Sequence, residues 1–143
     1  MIAVDTNILV YAHRQDSPWH SAASARLSEL VDGGDRWAVA WPCVHEFIAI
    51  VTHPRIYNPP TPLPVALECV EAWSASPSLH LLSESEGYWD KLRKLATAAR
   101  SAGPIIHDLR IAALCLHHGV RMLWSADRDF SRVTGLRVVN PLI

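Results

Sequence analysis

No apolar run in this sequence approaches the ~18–20 residues needed to cross a bilayer, so no membrane span is expected. The apolar residues at the N-terminus are broken by Asp5 and Asn7 and follow no basic segment, which argues against a signal peptide. A soluble protein is the expectation. Cysteine is scarce: Cys43, Cys69 and Cys115 are odd in number, widely spaced and include no C-x-x-C pair. Each sits among apolar residues, as a small buried hydrophobe does, and the set suits a reducing cytoplasm. A strong field of either sign is also missing, since the formal net charge is −1. Attraction to a nucleic acid would therefore need a local Arg/His patch, helped by bound cations. No repeat and no low-complexity tract is present.

What is present is enough for a core. Half of the 143 residues are hydrophobic and 19% are charged, which predicts one globular domain over residues 1–143. Ile2–Val4 reads as a short buried strand and Asn7–His13 as a short apolar helix. Ser17-Pro18 reads as an N-cap with Pro at the first helical position, for a helix that stops at Gly33-Gly34. Trp37–Ala40 is a second strand. Pro42 opens a helix over Cys43–Thr52 that is apolar on nearly all sides. Arg55–Pro64 is a Pro-rich loop, and a helix follows over Val65–Ser74. Leu79–Leu82 is a strand and Ser85–Arg100 an amphipathic helix, with Tyr88, Leu92, Leu95 and Ala99 at helical spacing. Gly103-Pro104 breaks it. A helix from about Asp108 to His118 ends at Gly119. Arg121–Trp124 and Leu136–Val139 are the last strands, joined through a loop at Ser125–Phe130. Short apolar strands alternating with helices predict an α/β domain with a mostly parallel central sheet.

Four acids stand at the margin of that core. Asp5 ends the first strand, and in parallel α/β sheets ligands bind beyond the carboxyl ends of strands. Glu46 lies alone in the apolar stretch WPCVHEFIAIV, where burying a carboxylate is costly unless it is paired. Asp108 lies at or just inside the start of an apolar helix. Asp127 follows a strand in LWSADRDF. Each has an ordinary structural role open to it: a helix cap for Asp5 and Asp108, a favourable dipole for Glu46, a turn for Asp127. An α/β fold can nevertheless place all four on one edge. Two carboxylates at ~4 Å repel by ~4 kcal/mol at an effective dielectric near 20. Either their pKa values rise or a cation lies between them. An all-oxygen set suits Mg²⁺ or Mn²⁺ better than zinc, and its natural chemistry is phosphoryl transfer.

The ordered motifs V-D-T-N, H-E-F, H-D-x-x-I-A-A-L and S-A-D-R-D-F resemble those of the PIN-domain ribonucleases. Within them the chain resembles a VapC-type toxin of a bacterial toxin–antitoxin pair, along essentially its whole length. The resemblance implies a PIN-like three-layer α/β/α sandwich. It also implies a Mg²⁺- or Mn²⁺-dependent endoribonuclease, a cytoplasmic homodimer, an RNA substrate and inhibition by a cognate VapB-type antitoxin. The four-acid metal site maps onto Asp5, Glu46, Asp108 and Asp127. Asp5 would be the shared ligand, Glu46 and Asp108 would complete the principal site, and Asp127 would bind a second ion or orient water. Thr6, Asn7, Ser125 and Asp129 would support these ligands. The expected reaction is in-line attack of water on an RNA phosphodiester, leaving a 5′-phosphate and a 3′-hydroxyl. The Pro-rich loop is less typical and could be an insertion near the substrate or antitoxin surface.

His13, Arg14, Arg110 and Arg128 lie near these acids in sequence and are candidate phosphate contacts, against a solvated-surface reading. Zinc is disfavoured: His117-His118 are adjacent and His45-Glu46 does not continue to H-E-x-x-H. Trp37, Trp41 and Trp124, in or beside strands, are expected in the core rather than as base-stacking platforms. Trp19, Trp73 and Trp89 lie on helices and could serve the core, a dimer or an antitoxin. The competing function is a catalytically weak PIN-like module that binds RNA or protein; the intact acid set argues against it. A haloacid-dehalogenase-type phosphatase would want D-x-D after the first strand, where this chain has Asn7. A receiver domain would want paired acids there.

Overall fold

The computed structural model describes residues 1–128, 130 and 133–143. Three-residue β1 (Ile2–Val4) is apolar throughout, as a strand covered on both faces must be. It is followed by α1 (Thr6–His13), α2 (His20–Asp32), β2 (Trp37–Ala40), α3 (Trp41–Val51), α4 (Leu63–Ser74), β3 (Leu79–Leu82), α5 (Tyr88–Ala99), α6 (Ile105–His117), β4 (Met122–Trp124) and β5 (Arg137–Val139). The strands form one sheet in the order β3-β2-β1-β4-β5, and all four pairings are parallel.

This order fixes the layers. The chain steps outward from β1 to β2 to β3, and right-handed crossovers then place α1–α4 on one face. The return from β3 to β4 reverses direction, so α5 and α6 cover the other face. The packing agrees: α1 packs on α2 and α3, α3 on α4, and α5 on α6. The reversal leaves a switch point between β1 and β4, where a crevice opens beyond the strand ends.

The core lies between these layers. Ile8, Leu9, Trp37, Phe47, Leu114 and Leu123 are fully buried. Phe47 packs edge-on against Trp73 at 4.7 Å between ring centroids and joins α3 to α4. Truncating such a residue to Ala costs about 3–5 kcal/mol. Among the described residues no helix is long and apolar enough to cross a membrane.

Several boundaries differ from the sequence expectation. The second helix starts at His20, with Trp19 as a cap that offers no side-chain bond. Ser17-Pro18 instead forms a turn ahead of it, in which Ser17 Oγ accepts from the Trp19 amide at 3.1 Å. The fourth helix starts at Leu63, because Pro64 in a first turn loses no helical hydrogen bond. The fifth begins only at Tyr88, after Gly87 at φ 90°. The sixth begins at Ile105, three residues earlier than expected, which leaves Asp108 just inside its first turn. The third helix is not apolar on all sides in effect: Trp41, His45, Glu46 and Ala49 are exposed.

Candidate functional site

Asp5 sits where β1 ends and α1 begins. Its backbone N–H continues the sheet by donating to Trp124 O at 2.9 Å. Its side chain caps α1, with Oδ1 accepting from the Thr6 N–H at 2.8 Å. Oδ2 accepts from Ser125 Oγ at 2.7 Å and from Asn7 Nδ2 at 3.3 Å. The Cys43 thiol points at Oδ1 from 3.7 Å. The residue is 4% exposed. Burial pushes the Asp5 carboxyl up to about 6; the Ser125, Thr6 and Cys43 hydrogen bonds oppose this, and the Glu46 charge adds to it. All four donors are neutral groups. Among the described residues no Lys, Arg or His pairs with Asp5.

Thr6 joins the first two acids. Its amide holds Asp5, while its hydroxyl donates to Glu46 Oε2 at 3.2 Å. Glu46 is exposed, not sunk in an apolar helix as its sequence context suggested. Residues three apart share a helix face, so Cys43 and Glu46 both reach the β1 end from α3.

On the other side of the crevice, Ser125 directly follows β4 and is 2% exposed. Its hydroxyl proton goes to Asp5, and its oxygen accepts from the Asp127 N–H at 3.0 Å and from Asn7 Nδ2 at 3.3 Å. Asn7 Oδ1 accepts from the Ala126 N–H at 3.1 Å. Asn7 thus fastens α1 to the turn that carries Asp127. Asp127 is half-buried and follows this turn; Asp129 lies outside the described residues. A separate cavity of about 520 Å³ lies on the β5 side of this turn, lined by Ser125, Asp127 and Arg128 together with Leu136, Val138, Asn140 and Ile143, and not by Asp5, Glu46 or Asp108.

Asp108 is half-buried in the first turn of α6, and the helix beyond it packs inward through Leu109, Ile111, Ala112 and Cys115. Burial, and then the Asp5 charge, push the Cys115 thiol up to about 12. Among the described residues, however, no three His, Cys, Asp or Glu side chains are gathered tightly enough to hold one ion. The geometry links Asp5 to Glu46 through Thr6, and Asp5 to the Asp127 backbone through Ser125.

The candidate phosphate contacts separate. Arg14 lies eight residues beyond Thr6, about 12 Å along the helix axis at 1.5 Å per residue. Its guanidinium binds Asp16 at 2.6 Å, Thr61 Oγ1 at 3.2 Å and Pro59 O at 3.1 Å, and covers the Tyr57 ring at 4.2 Å. It pins the Pro-rich loop to the end of α1. His13 Nε2 lies 3.0 Å from Thr61 Oγ1 in the same contact. Arg110 faces Glu84 at 3.7 Å. Arg128 is exposed next to Asp127.

Sequence reasoning treated Cys43 only as a buried hydrophobe and so missed its contact with Asp5. The available signal was its position one helical turn before Glu46.

The site's donors are suited to a hard cation. Asp5 and Glu46 are carboxylates, Thr6 and Ser125 hydroxyls, and the Cys43 thiol is held protonated by burial and by the Asp5 charge. A buried carboxylate with neutral partners and a second carboxylate nearby also fits a positive ligand.

A profile of the PIN-domain family matches residues 2–136. Ribonuclease VapC48 of Mycobacterium tuberculosis is 31% identical over 137 residues, covering 96% of this chain and 94% of its own length. Ribonuclease VapC43 of the same organism is 34% identical over 142 residues, covering 99% and 96%. Among solved structures, VapBC2 from Rickettsia felis, bound to a DNA fragment from its promoter, superposes with a TM-score of 0.70 at 18% identity. That likeness spans 97% of this chain and 98% of the other.

Proposed function

Because the chain belongs to the PIN-domain family, among its VapC ribonucleases, we propose that it is a Mg²⁺- or Mn²⁺-dependent endoribonuclease and the toxin of a toxin–antitoxin pair. The observation that carries this reading is Asp5. A carboxylate 4% exposed, held by neutral donors and facing a second acid through Thr6, is expensive unless a cation neutralises it.

Asp5, Glu46, Asp108 and Asp127 are the residues that would hold the ion. When bound, a divalent cation makes a water more acidic and offsets charge at the scissile phosphate. The chain's own groups do the positioning. Ser125 and the Thr6 amide fix the two oxygens of Asp5, the Thr6 hydroxyl orients Glu46, and Asn7 holds the turn that presents Asp127. Arg128, exposed next to Asp127, meets the phosphate backbone. Hydrolysis proceeds by in-line attack of water on an RNA phosphodiester and leaves a 5′-phosphate and a 3′-hydroxyl.

A VapB-type antitoxin is the partner; the structural neighbour from Rickettsia felis is such an assembly. The protein acts in the cytoplasm as a homodimer, where its free cysteines stay reduced. The experiment is incubation of purified protein with a panel of structured RNAs in Mn²⁺, Mg²⁺ or EDTA. Cleavage that needs the ion and is lost in Asp5→Asn and Asp108→Asn is expected. Cleavage that survives both substitutions would overturn the site, and binding without any cleavage would favour a binding module.

A further inference from the structure

Building on the ribonuclease reading above, we propose that Trp41 and His45 form a shelf on which an unpaired RNA base stacks beside the cleaved phosphate. Tryptophans flanking strands are ordinarily core residues, and Trp37 and Trp124 are 0% and 6% exposed. Trp41 is 39% exposed. It is the first residue after β2, the strand that pairs with β1 in the register Ile2↔Trp37 and Ala3↔Ala38. Continued at that offset, Asp5 lies level with Ala40, and Trp41 follows directly, as the first residue of α3. Neighbouring strands are about 4.8 Å apart, so the backbone of Trp41 starts close to the strand end that carries Asp5.

His45 follows one helical turn later and is also exposed. The two rings lie 6.1 Å apart between centroids with an interplanar angle of 33°, so they form one aromatic pair at the surface. The next residue on α3 is Glu46. Beyond Trp41, the exposed positions of this helix are His45, Glu46 and Ala49, so the ring does not belong to a broad apolar patch on α3 of the kind that seats a protein partner.

The chemistry selects the occupant. Sequence-specific proteins bind single-stranded RNA by splaying bases out and stacking them on Trp, Tyr, Phe or His faces. A strand with a phosphate at Asp5 has its neighbouring base within reach of α3. With a formal net charge of −1 the chain has little global attraction for RNA, so stacking has to supply part of the affinity.

The test uses one short single-stranded RNA that the wild-type protein cleaves, and versions of it with a single abasic nucleotide placed in turn around the cut. Trp41→Ala is expected to raise KM about tenfold with kcat within about twofold, the usual weight of one stacked base. Trp41→Phe recovers most of the loss. Trp89→Ala, which removes a more exposed ring on α5, changes neither constant. One abasic position reproduces the loss in the wild type and adds nothing further in Trp41→Ala. The abasic scan on the wild type needs no variant to fold. An unchanged KM in Trp41→Ala overturns the proposal, as do abasic effects that all add independently to it. If light scattering shows only a changed oligomeric state and no abasic position is coupled, Trp41 belongs to a protein contact instead. A wild-type protein that cuts no RNA in Mg²⁺ or Mn²⁺ fails at the ribonuclease reading, and this proposal falls with it.

Discussion

Ser125 Oγ donates to Asp5 Oδ2 at 2.7 Å and joins the ends of two adjacent parallel strands that are 120 residues apart in the chain. This bond opposes the rise in the Asp5 pKa and also holds the turn leading to Asp127. Ser125→Ala removes the donor and leaves the carboxylate less stabilised. The pH at which metal-dependent cleavage sets in should rise by about one to two units, since hydrogen bonds to charged groups contribute about 1.5–3 kcal/mol. A pH–rate profile of the variant checks this, and an unchanged profile would contradict the role given to Ser125.

Asp5 itself makes stability depend on pH in an unusual direction. Its folded value, about 6, is above the ordinary 3.8. Between those values the folded state binds more protons than the unfolded one. The contribution is therefore present below the unfolded value and is lost as pH rises through about 6. In EDTA, the wild type should weaken relative to Asp5→Asn by roughly 2 kcal/mol between about pH 4.5 and pH 7.5. Urea unfolding of both proteins at the two pH values measures it. A difference that stays flat or grows in favour of the wild type would refute the assignment.

A divalent ion should reverse that weakness. At neutral pH, Mn²⁺ at about a hundred times its Kd should stabilise the wild type by about 2.7 kcal/mol through binding to the folded state alone. Asp5→Asn and Glu46→Gln should show a much smaller rise in Tm. Thermal melting with and without the ion reads this directly, independently of any RNA. Equal rises in all three proteins would place the ion elsewhere.

Arg14 and Arg128 should separate structure from function. Arg14 is committed to Asp16, Thr61, Pro59 and Tyr57. Arg14→Met should lower stability by about 1–3 kcal/mol, through acceptors left without their donor, and leave RNA cleavage near the wild-type rate. Arg128→Ala should do the opposite, because the side chain is exposed next to Asp127. It should weaken RNA binding and reduce the salt slope of log K by about 0.7, as expected for one contact to a single strand. Chemical unfolding and binding titrations at several salt concentrations distinguish the two.

How much was legible in advance depends on the range of the interactions involved. The five strands were readable because short apolar runs bounded by turn residues are local signals. So was the amphipathic α5, whose Tyr88, Leu92, Leu95 and Ala99 pack against the core. The start of α2 was misread because Ser17-Pro18 satisfies a capping pattern locally, yet the chain spends it on a turn. The exposure of Glu46 and Trp41 was not readable either. Their helix is apolar in composition, and only the docking of α3 decides which side faces water. Arg14 looked like a phosphate contact because it is near Asp5 in sequence, while a rise of about 1.5 Å per helical residue carries it away.

The sequence by itself determined the alternating α/β elements, the parallel sheet and the family. Those follow from periodicity, from turn chemistry and from the order of short motifs along the chain. Only the tertiary structure decided that Asp5 is both a helix cap and the centre of a buried network. Its partners come from α1, α3 and the end of β4, and the strand order β3-β2-β1-β4-β5 brings them together. A carboxylate's pKa and its need for a cation depend on the groups packed around it. Those groups are distant in sequence, so only folding could supply them.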